Sequence, residues 1–280
     1  MGETLIGESF HMGCGGKGSN QAAMAAKLGA EVTIVTKLGR DPLGEITIRN
    51  YQKLGIDTRH VHWDSQSFSG VAPIFVDDKG NNSIIIVPGA NMALTCEEVA
   101  EASEVIRGAD VVVCQLEIPI EATKETFRLA KAADVLTILN PAPALTLPDE
   151  LFQLSDIVVP NEVEAEALTG LSVSNIQEAE AAAITLRSRG ARACIITLGE
   201  KGALLVDKEG PYHVPARQVH VVDTTGAGDA FVGSLAYFLG AGQRLRTAVT
   251  NANAVSSVSV TRVGTQVSFP SRKEVEHLLV

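Results

Sequence analysis

The segment Asp223-Thr224-Thr225-Gly226-Ala227-Gly228-Asp229 collects residue types that could hold and transfer a phosphoryl group. Its glycines let the backbone approach a ligand closely. They open a run, Ala227 to Leu239, whose apolar residues recur at helical spacing. Free N–H groups at a helix start point at an anion and complement its charge. Asp229 falls in that first turn, where a carboxylate could take a proton from a hydroxyl while neighbouring N–H groups hold the transferring group. The same residues would also serve an ordinary helix start, with Asp223 or Thr224 as cap and Asp229 complementing the dipole. Capping alone, however, calls for neither two glycines nor a second acid.

A second glycine-rich stretch, Gly13-Cys14-Gly15-Gly16-Lys17-Gly18, spells G-x-G-x-x-G. The dinucleotide fingerprint needs a buried strand before it and an acid closing the next strand. Here Glu8-Ser9-Phe10-His11-Met12 precedes it, and the next apolar run, Val32 to Val35, ends in Thr36-Lys37. No G-x-x-x-x-G-K-[ST] sequence occurs, so any use of ATP is without a P-loop. Gly15-Gly16-Lys17-Gly18-Ser19-Asn20 instead offers close backbone approach, an amide and an ammonium, which suit a polyhydroxylated ligand. A helix from Gln21 to Leu28 is expected to follow.

These residues need a scaffold, and from about residue 95 the pattern supplies one. Val111-Val112-Val113-Cys114 ends in Gln115-Leu116-Glu117, and Val135 to Leu139 ends in Asn140-Pro141. Asp156 to Val159 ends in Pro160-Asn161, and Cys194-Ile195-Ile196 ends in Thr197-Leu198-Gly199. Helical stretches such as Glu121 to Ala133 and Ile176 to Arg189 lie between them. Apolar runs alternating with helices predict a three-layer, doubly wound, mostly parallel sheet covered on both faces. Ligands bind beyond the carboxyl ends of such strands, where Glu117, Asn140, Asn161 and Thr197 would share a crevice. Helices are expected near Leu245 to Ser257 and Lys273 to Leu279.

The N-terminal part reads differently. Residues 3 to 12 are expected to form a strand. Residues 68 to 88 are expected to form a hairpin, Gly70 to Val76 and Ser83 to Val87, with its turn at Asp77-Asp78-Lys79-Gly80. The division is then a main domain of residues 14–67 and 89–280, with a small β lid of residues 3–13 and 68–88. An edge extension of the main sheet fits the hairpin pattern equally well.

Composition narrows the classes. A chain of 280 residues with 45% hydrophobic residues, 4% aromatics and 25 glycines is an alanine- and valine-rich globular protein. A formal charge of -10 argues against a nucleic-acid surface. No apolar run reaches membrane-spanning length and no signal-peptide pattern opens the chain, so a cytoplasmic protein is expected. Cys14, Cys96, Cys114 and Cys194 are isolated and read as reduced thiols. His60 and His62 lack an evident third metal ligand and read as surface loop or strand.

Together these residues resemble the ribokinase family, sugar kinases that lack a P-loop. The resemblance spans essentially the whole chain and rests on Gly15-Gly16-Lys17-Gly18-Ser19-Asn20-Gln21-Ala22 and on Asp223 to Asp229. Supporting segments are Pro88-Gly89-Ala90-Asn91, Gln115-Leu116-Glu117, Asn140-Pro141-Ala142-Pro143-Ala144, Asn161-Glu162-Val163-Glu164 and Thr261-Arg262-Val263-Gly264-Thr265-Gln266. The resemblance implies transfer of the ATP γ-phosphoryl group to the 5-hydroxyl of D-ribose, with another pentose or nucleoside as the alternative acceptor, as in a deoxyribokinase. A kinase-like binding protein with little turnover is a further alternative.

By this resemblance Asp229 is the catalytic base, and the backbone of Gly226, Ala227 and Gly228 is the anion hole. Gly16, Lys17, Gly18, Asn20 and Glu117 are implied to bind the sugar. Asn161, Thr197, Gly199, Gly202, Gly228 and Asn253 are implied to bind the nucleotide. Glu164 would help organise Mg2+. A loop site for K+ would involve Asp223, Thr225, Ser259, Arg262, Gly264 and Ser268. A homodimer through the β lid is expected. The family pattern also carries an opening strand and an N-x-D segment, whose aspartate grips the sugar, ahead of the stretch that begins here at Gly2-Glu3-Thr4. Neither is found in this sequence, so fold and nucleotide chemistry are expected intact and the hold on sugar weakened.

Overall fold

The computed structural model describes residues 8, 12–76 and 82–280. In chain order, helix α1 (Lys17–Leu28) leads to strand β1 (Thr33–Gly39), α2 (Pro42–Lys53) and β2 (Asp57–Asp64). The short strands β3 (Ile74–Val76) and β4 (Asn82–Ile84) follow, then α3 (Cys96–Glu101), α4 (Ser103–Arg107) and β5 (Val111–Cys114). Alternation continues through α5 (Ile120–Lys131), β6 (Leu136–Leu139), α6 (Asp149–Gln153), β7 (Ile157–Val158), α7 (Glu162–Thr169), α8 (Ile176–Ser188) and β8 (Ala193–Thr197). An edge pair, β9 (Ala203–Asp207) and β10 (Gly210–Val214), precedes α9 (Ala227–Gly240), α10 (Leu245–Ser259) and α11 (Arg272–Val275).

The main sheet runs in the order β10-β9-β8-β7-β6-β5. Pairings from β5 to β8 are parallel, and β9 and β10 add antiparallel strands at one edge. Both faces are covered, as the unbroken apolar runs require. Met24, Leu28, Phe231, Leu235 and Val249 pack against one face from α1, α9 and α10, and Phe127, Leu151, Phe152 and Leu186 against the other. This is the expected mostly parallel, three-layer architecture. The strands β1 and β2 pair in parallel with each other around α2 and carry a core of their own, Ile34, Leu38, Tyr51, Ile56 and Val61. No helix among the described residues is long and apolar enough to cross a membrane.

Several boundaries differ from expectation. Helix α1 begins one turn early, at Lys17. Gly16, at φ +88°, turns the chain into it and Gly29, at φ +104°, closes it. A glycine-rich stretch reads as loop, yet Gly18 is tolerated in a helix whose remaining turns are alanine-rich and buried. The C-terminal helix expected over Lys273 to Leu279 is a short α-helix continued by a 3₁₀ turn, Glu276–Leu278. The edge hairpin of β9 and β10 was not anticipated.

Among the described residues the small sheet stands apart: β3 and β4 pair with each other, extended by a bridge between Val71 and Val87, and with no described strand of the main sheet. Its base is pinned where the Ser69 N–H donates to Asp41 at 2.6 Å and the Gly39 N–H to the Ser69 hydroxyl at 3.0 Å. The turn at 77–80 lies outside the described residues, as does nearly all of the strand expected at 3 to 12.

Candidate active site

Three helix starts converge beyond the carboxyl ends of the parallel strands. They bring Lys17, Asn140, Asn161, Glu164, Thr197, Thr224, Gly226, Ala227, Gly228 and Asp229 around one cleft of about 150 Å³. Of the polar strand ends expected to share a crevice, Asn140, Asn161 and Thr197 line this cleft, while Glu117 adjoins it through its bond to Lys17. Around it lie Lys17 of the first glycine-rich segment and Thr224 and Gly226 to Asp229 of the second.

Gly226 adopts a left-handed conformation, φ +80°, and starts α9 without any side-chain cap. The Ala227 N–H bonds the Thr224 carbonyl at 3.1 Å, which engages one of the three N–H groups expected to form the anion hole. Asp229 follows, 8% exposed. Its Oδ2 accepts the Asn20 amide at 2.8 Å and its Oδ1 the Gln21 amide at 3.0 Å. Gln21 also donates to Asn140 at 2.9 Å and accepts from Gln115 at 2.6 Å. Asn140 in turn donates to the Val159 carbonyl at 2.8 Å. Gln21, although part of the first glycine-rich signature, was assigned no role from sequence. Its place next to Asn20 was the one available signal.

Burial pushes the Asp229 carboxyl above its ordinary value, against the pull of the Lys17 charge and the Asn20 and Gln21 amides. Glu117, reached by the Lys17 backbone N–H at 2.8 Å, is raised by burial too. So is Glu164. Taking a carboxylate out of water disfavours its charged form, and the neighbouring acids add to the effect. Asn161 and Glu164 form a reciprocal capping box on α7, with bonds of 2.8 and 2.9 Å. The helix-cap reading of this pair is thus correct, and both residues still line the cleft.

The positions expected to bind the nucleotide divide into two groups. Asn161, Thr197 and Gly228 line the cleft, and Asn161 and Thr197 are bridged to each other in parallel. Asn253 lies instead in a second cavity of about 270 Å³ with Tyr212, Val214, Pro215 and Thr250, where its amide donates to the Pro215 carbonyl at 3.0 Å. Gly202, at φ +92°, belongs to that side, because a Cβ there would overlap the Val214 carbonyl oxygen. Gly199 shapes the turn between them and accepts the Gly202 N–H at 3.0 Å.

Of the cation loop, Asp223 and Gly264 do meet. The Asp223 carboxylate accepts the Thr225 N–H at 2.9 Å and the Gly264 N–H at 2.8 Å. Burial lifts that carboxyl, but these bonds outweigh it and leave it below its ordinary value. The Arg262 side chain points to Glu274 instead, at 2.6 Å. Ser259 and Ser268 spend their hydroxyls on the Ser256 and Thr265 carbonyls. Among the described residues no cluster of three or more His, Cys, Asp and Glu side chains could hold a metal. His60 and His62 sit on β2, as the strand reading held.

The cleft thus joins a buried carboxylate to two helix starts whose N-cap residues are glycines. Residues 1–272 match the family described as pfkB family carbohydrate kinase. The chain is 42% identical over 279 residues to the deoxyribokinase of Salmonella typhi, covering 99% of this chain and 91% of that protein. It is 41% identical over 279 residues to the ribokinase of Mus musculus, covering 98% and 86%. The solved structure of Arabidopsis thaliana ribokinase complexed with ribose and ATP matches with a TM-score of 0.94 at 32% identity, covering 99% of this chain and 91% of that one. The chain belongs to the pfkB family of carbohydrate kinases.

Proposed function

We propose that this sugar kinase transfers the ATP γ-phosphoryl group to the 5-hydroxyl of D-ribose, with Asp229 as general base. The observation that carries this reading is the meeting of Asp229, the uncapped start of α9 and the Lys17–Asn20 turn of α1 in one cleft. Gly16, Lys17, Gly18, Asn20 and Glu117 would hold the sugar hydroxyls. Asp229 would take the proton of the attacking hydroxyl, and the Gly226 and Gly228 N–H groups would receive the transferring group. Phosphoryl transfer depends mainly on such positioning and charge stabilisation. Asn161 and Thr197 would face the nucleotide phosphates. Asn253, in its separate cavity with Tyr212 and Pro215, would face a more distant part of the nucleotide.

Mg2+ binds through one or two carboxylates together with substrate phosphates, and Glu164, which lines the cleft, would help to organise it there. When bound, the ion would neutralise phosphate charge. K+ would act through the loop pair joined by Asp223 and Gly264, ordering the start of α9 from outside the cleft. The 42% identity to a deoxyribokinase favours 2-deoxy-D-ribose as the second reading. One assay tests these points: ATP-dependent phosphorylation of both sugars, in potassium and in tetramethylammonium salts at equal ionic strength. Ribose is expected to give the larger kcat/KM, and potassium the faster rate. A larger kcat/KM with deoxyribose would install the second reading, no turnover with either sugar would remove both, and equal rates in the two salts would make the loops merely structural.

The small sheet is proposed to cover the sugar side and to pair with its copy in a homodimer. Support comes from its exposed apolar side chains: Phe68 is 80% exposed, Phe75 60%, and Val71, Pro73 and Ile86 also face outward. So thin a sheet cannot bury both of its faces alone. Light scattering at micromolar concentration is expected to give a dimer mass, and a monodisperse monomer would refute the pairing.

A further inference from the structure

Beneath the cleft three side-chain amides form a directed chain that ends on Asp229. Asn50, in the last turn of α2, donates to Gln266 Oε1 at 2.8 Å. Gln266 Nε2 donates to Asn20 Oδ1 at 3.1 Å and to the Ser19 hydroxyl at 3.0 Å. Asn20 Nδ2 donates to Asp229 Oδ2 at 2.8 Å. The direction follows from the chemistry of the end group. An ionised carboxylate only accepts, so Asn20 must turn its amino end toward Asp229, and its oxygen then needs a donor. Gln266 supplies that donor, which commits its own oxygen to Asn50. Gln266 and Asn20 are both buried, so a flipped amide would leave polar atoms unpaired, at a cost that burial makes large. The Gln266 backbone is tethered as well, its carbonyl accepting Lys27 Nζ at 2.6 Å.

We propose that Gln266 is a positioning residue for phosphoryl transfer, acting through Asn20 to hold Asp229 oriented and ionised. The proposal rests on the reading of Asp229 as the base. Gln266 lies in the loop after α10 and is not itself part of the cleft lining. Its influence is indirect. With Gln266 in place, the Asn20 amide cannot rotate away from the carboxylate, and a hydrogen bond to the charged form keeps a buried acid ionised at lower pH. The charged groups that reach Asp229 are Lys17 on α1, Glu117 after β5 and Glu164 on α7, and none of them is altered when Gln266 is changed.

The test is the pH profile of kcat/KM for ATP-dependent sugar phosphorylation. Gln266→Leu keeps the bulk and removes both donor and acceptor. Its acid-side midpoint is expected to move up by about half a pH unit or more, so that the loss of rate is greatest at low pH and recovers as pH rises. Asn50→Ala removes only the outermost link and is expected to shift the midpoint the same way by less. It also carries the test should Gln266→Leu fail to fold. A rate loss uniform across pH, with both midpoints at the wild-type value, would show that Gln266 is only a structural residue and overturn the proposal. Asp229→Asn run alongside separates the two readings. If that variant keeps its activity, the base assignment falls and the proposal with it. If it is inactive while the Gln266 and Asn50 midpoints stay put, only the relay fails.

Discussion

Asp229→Asn is expected to lower kcat by at least about a hundredfold, the usual scale for losing a general base, in a protein that still folds and binds nucleotide. The geometry leaves little room for a substitute. The other cleft carboxyls, Glu117 and Glu164, are already engaged by the Lys17 and Asn161 backbone N–H groups. The wild type carries a matching pH signature. Because burial raises Asp229 above its ordinary value of 3.8, the active, ionised form is lost as pH falls through that raised value. The stability linkage has the opposite sense. A carboxyl with a raised pKa in the folded state holds its proton more tightly there than in the unfolded chain. Stability therefore falls as pH climbs from the ordinary carboxylate range to the raised value. The catalytically competent ionisation state is thus the less stable one. Turnover in Asp229→Asn within a few-fold of wild type, measured by coupled release of ADP, would contradict the assignment.

Gly233→Ala should be nearly as damaging, although Gly233 touches no ligand. It lies one turn after Asp229 on the same face of α9, where a Cβ would overlap the Gln21 carbonyl oxygen and come within 2.9 Å of Met24 Cβ. The helix bearing the base and the helix bearing its amide partners thus meet backbone to side chain at this residue, and neither atom belongs to a flexible chain end. Overpacking of this kind costs about 1–3 kcal/mol, a melting point several degrees lower for a chain of this size. Forcing α1 away from α9 also displaces Asn20 and Gln21 from Asp229. A misplacement of about 1 Å can cost roughly a hundredfold in rate. Calorimetric melting and kcat/KM together check this. An alanine variant equal to wild type in both would mean that the helices part at no cost.

The parallel core and the cleft were readable in advance for one physical reason. Strands such as Leu136–Leu139 and Ala193–Thr197 are largely buried on both faces, so their apolar runs stand out from the amphipathic helices around them. The β9 and β10 hairpin hid because its strands follow an apolar strand of the same length and the helix–strand rhythm masked the change. The start of α1 hid behind its glycines. The amide partners of Asp229 could not be paired beforehand. Gln21 and Gln115, or Asn20 and Gln266, are far apart along the chain, and amide side chains carry no periodic signature. Asn253 could be grouped with the nucleotide positions, but only the fold shows that it lies in a cavity of its own.

The starts of α1 and α9 have a common property. Gly16 and Gly226 precede them and bring no capping side chain of their own; the Lys17 N–H goes to Glu117 and the Ala227 N–H to the Thr224 carbonyl, whereas α7 is closed by its own Asn161 and Glu164. The first turn of any helix leaves donors in need of partners. With the ligands placed as proposed, sugar hydroxyls and phosphate oxygens would meet the remaining donors at α1 and α9, and the ligands would serve as detachable caps. Occupancy and helix integrity then become one variable. Each round of binding and release would tighten and loosen the segments that carry Lys17, Asn20 and Asp229.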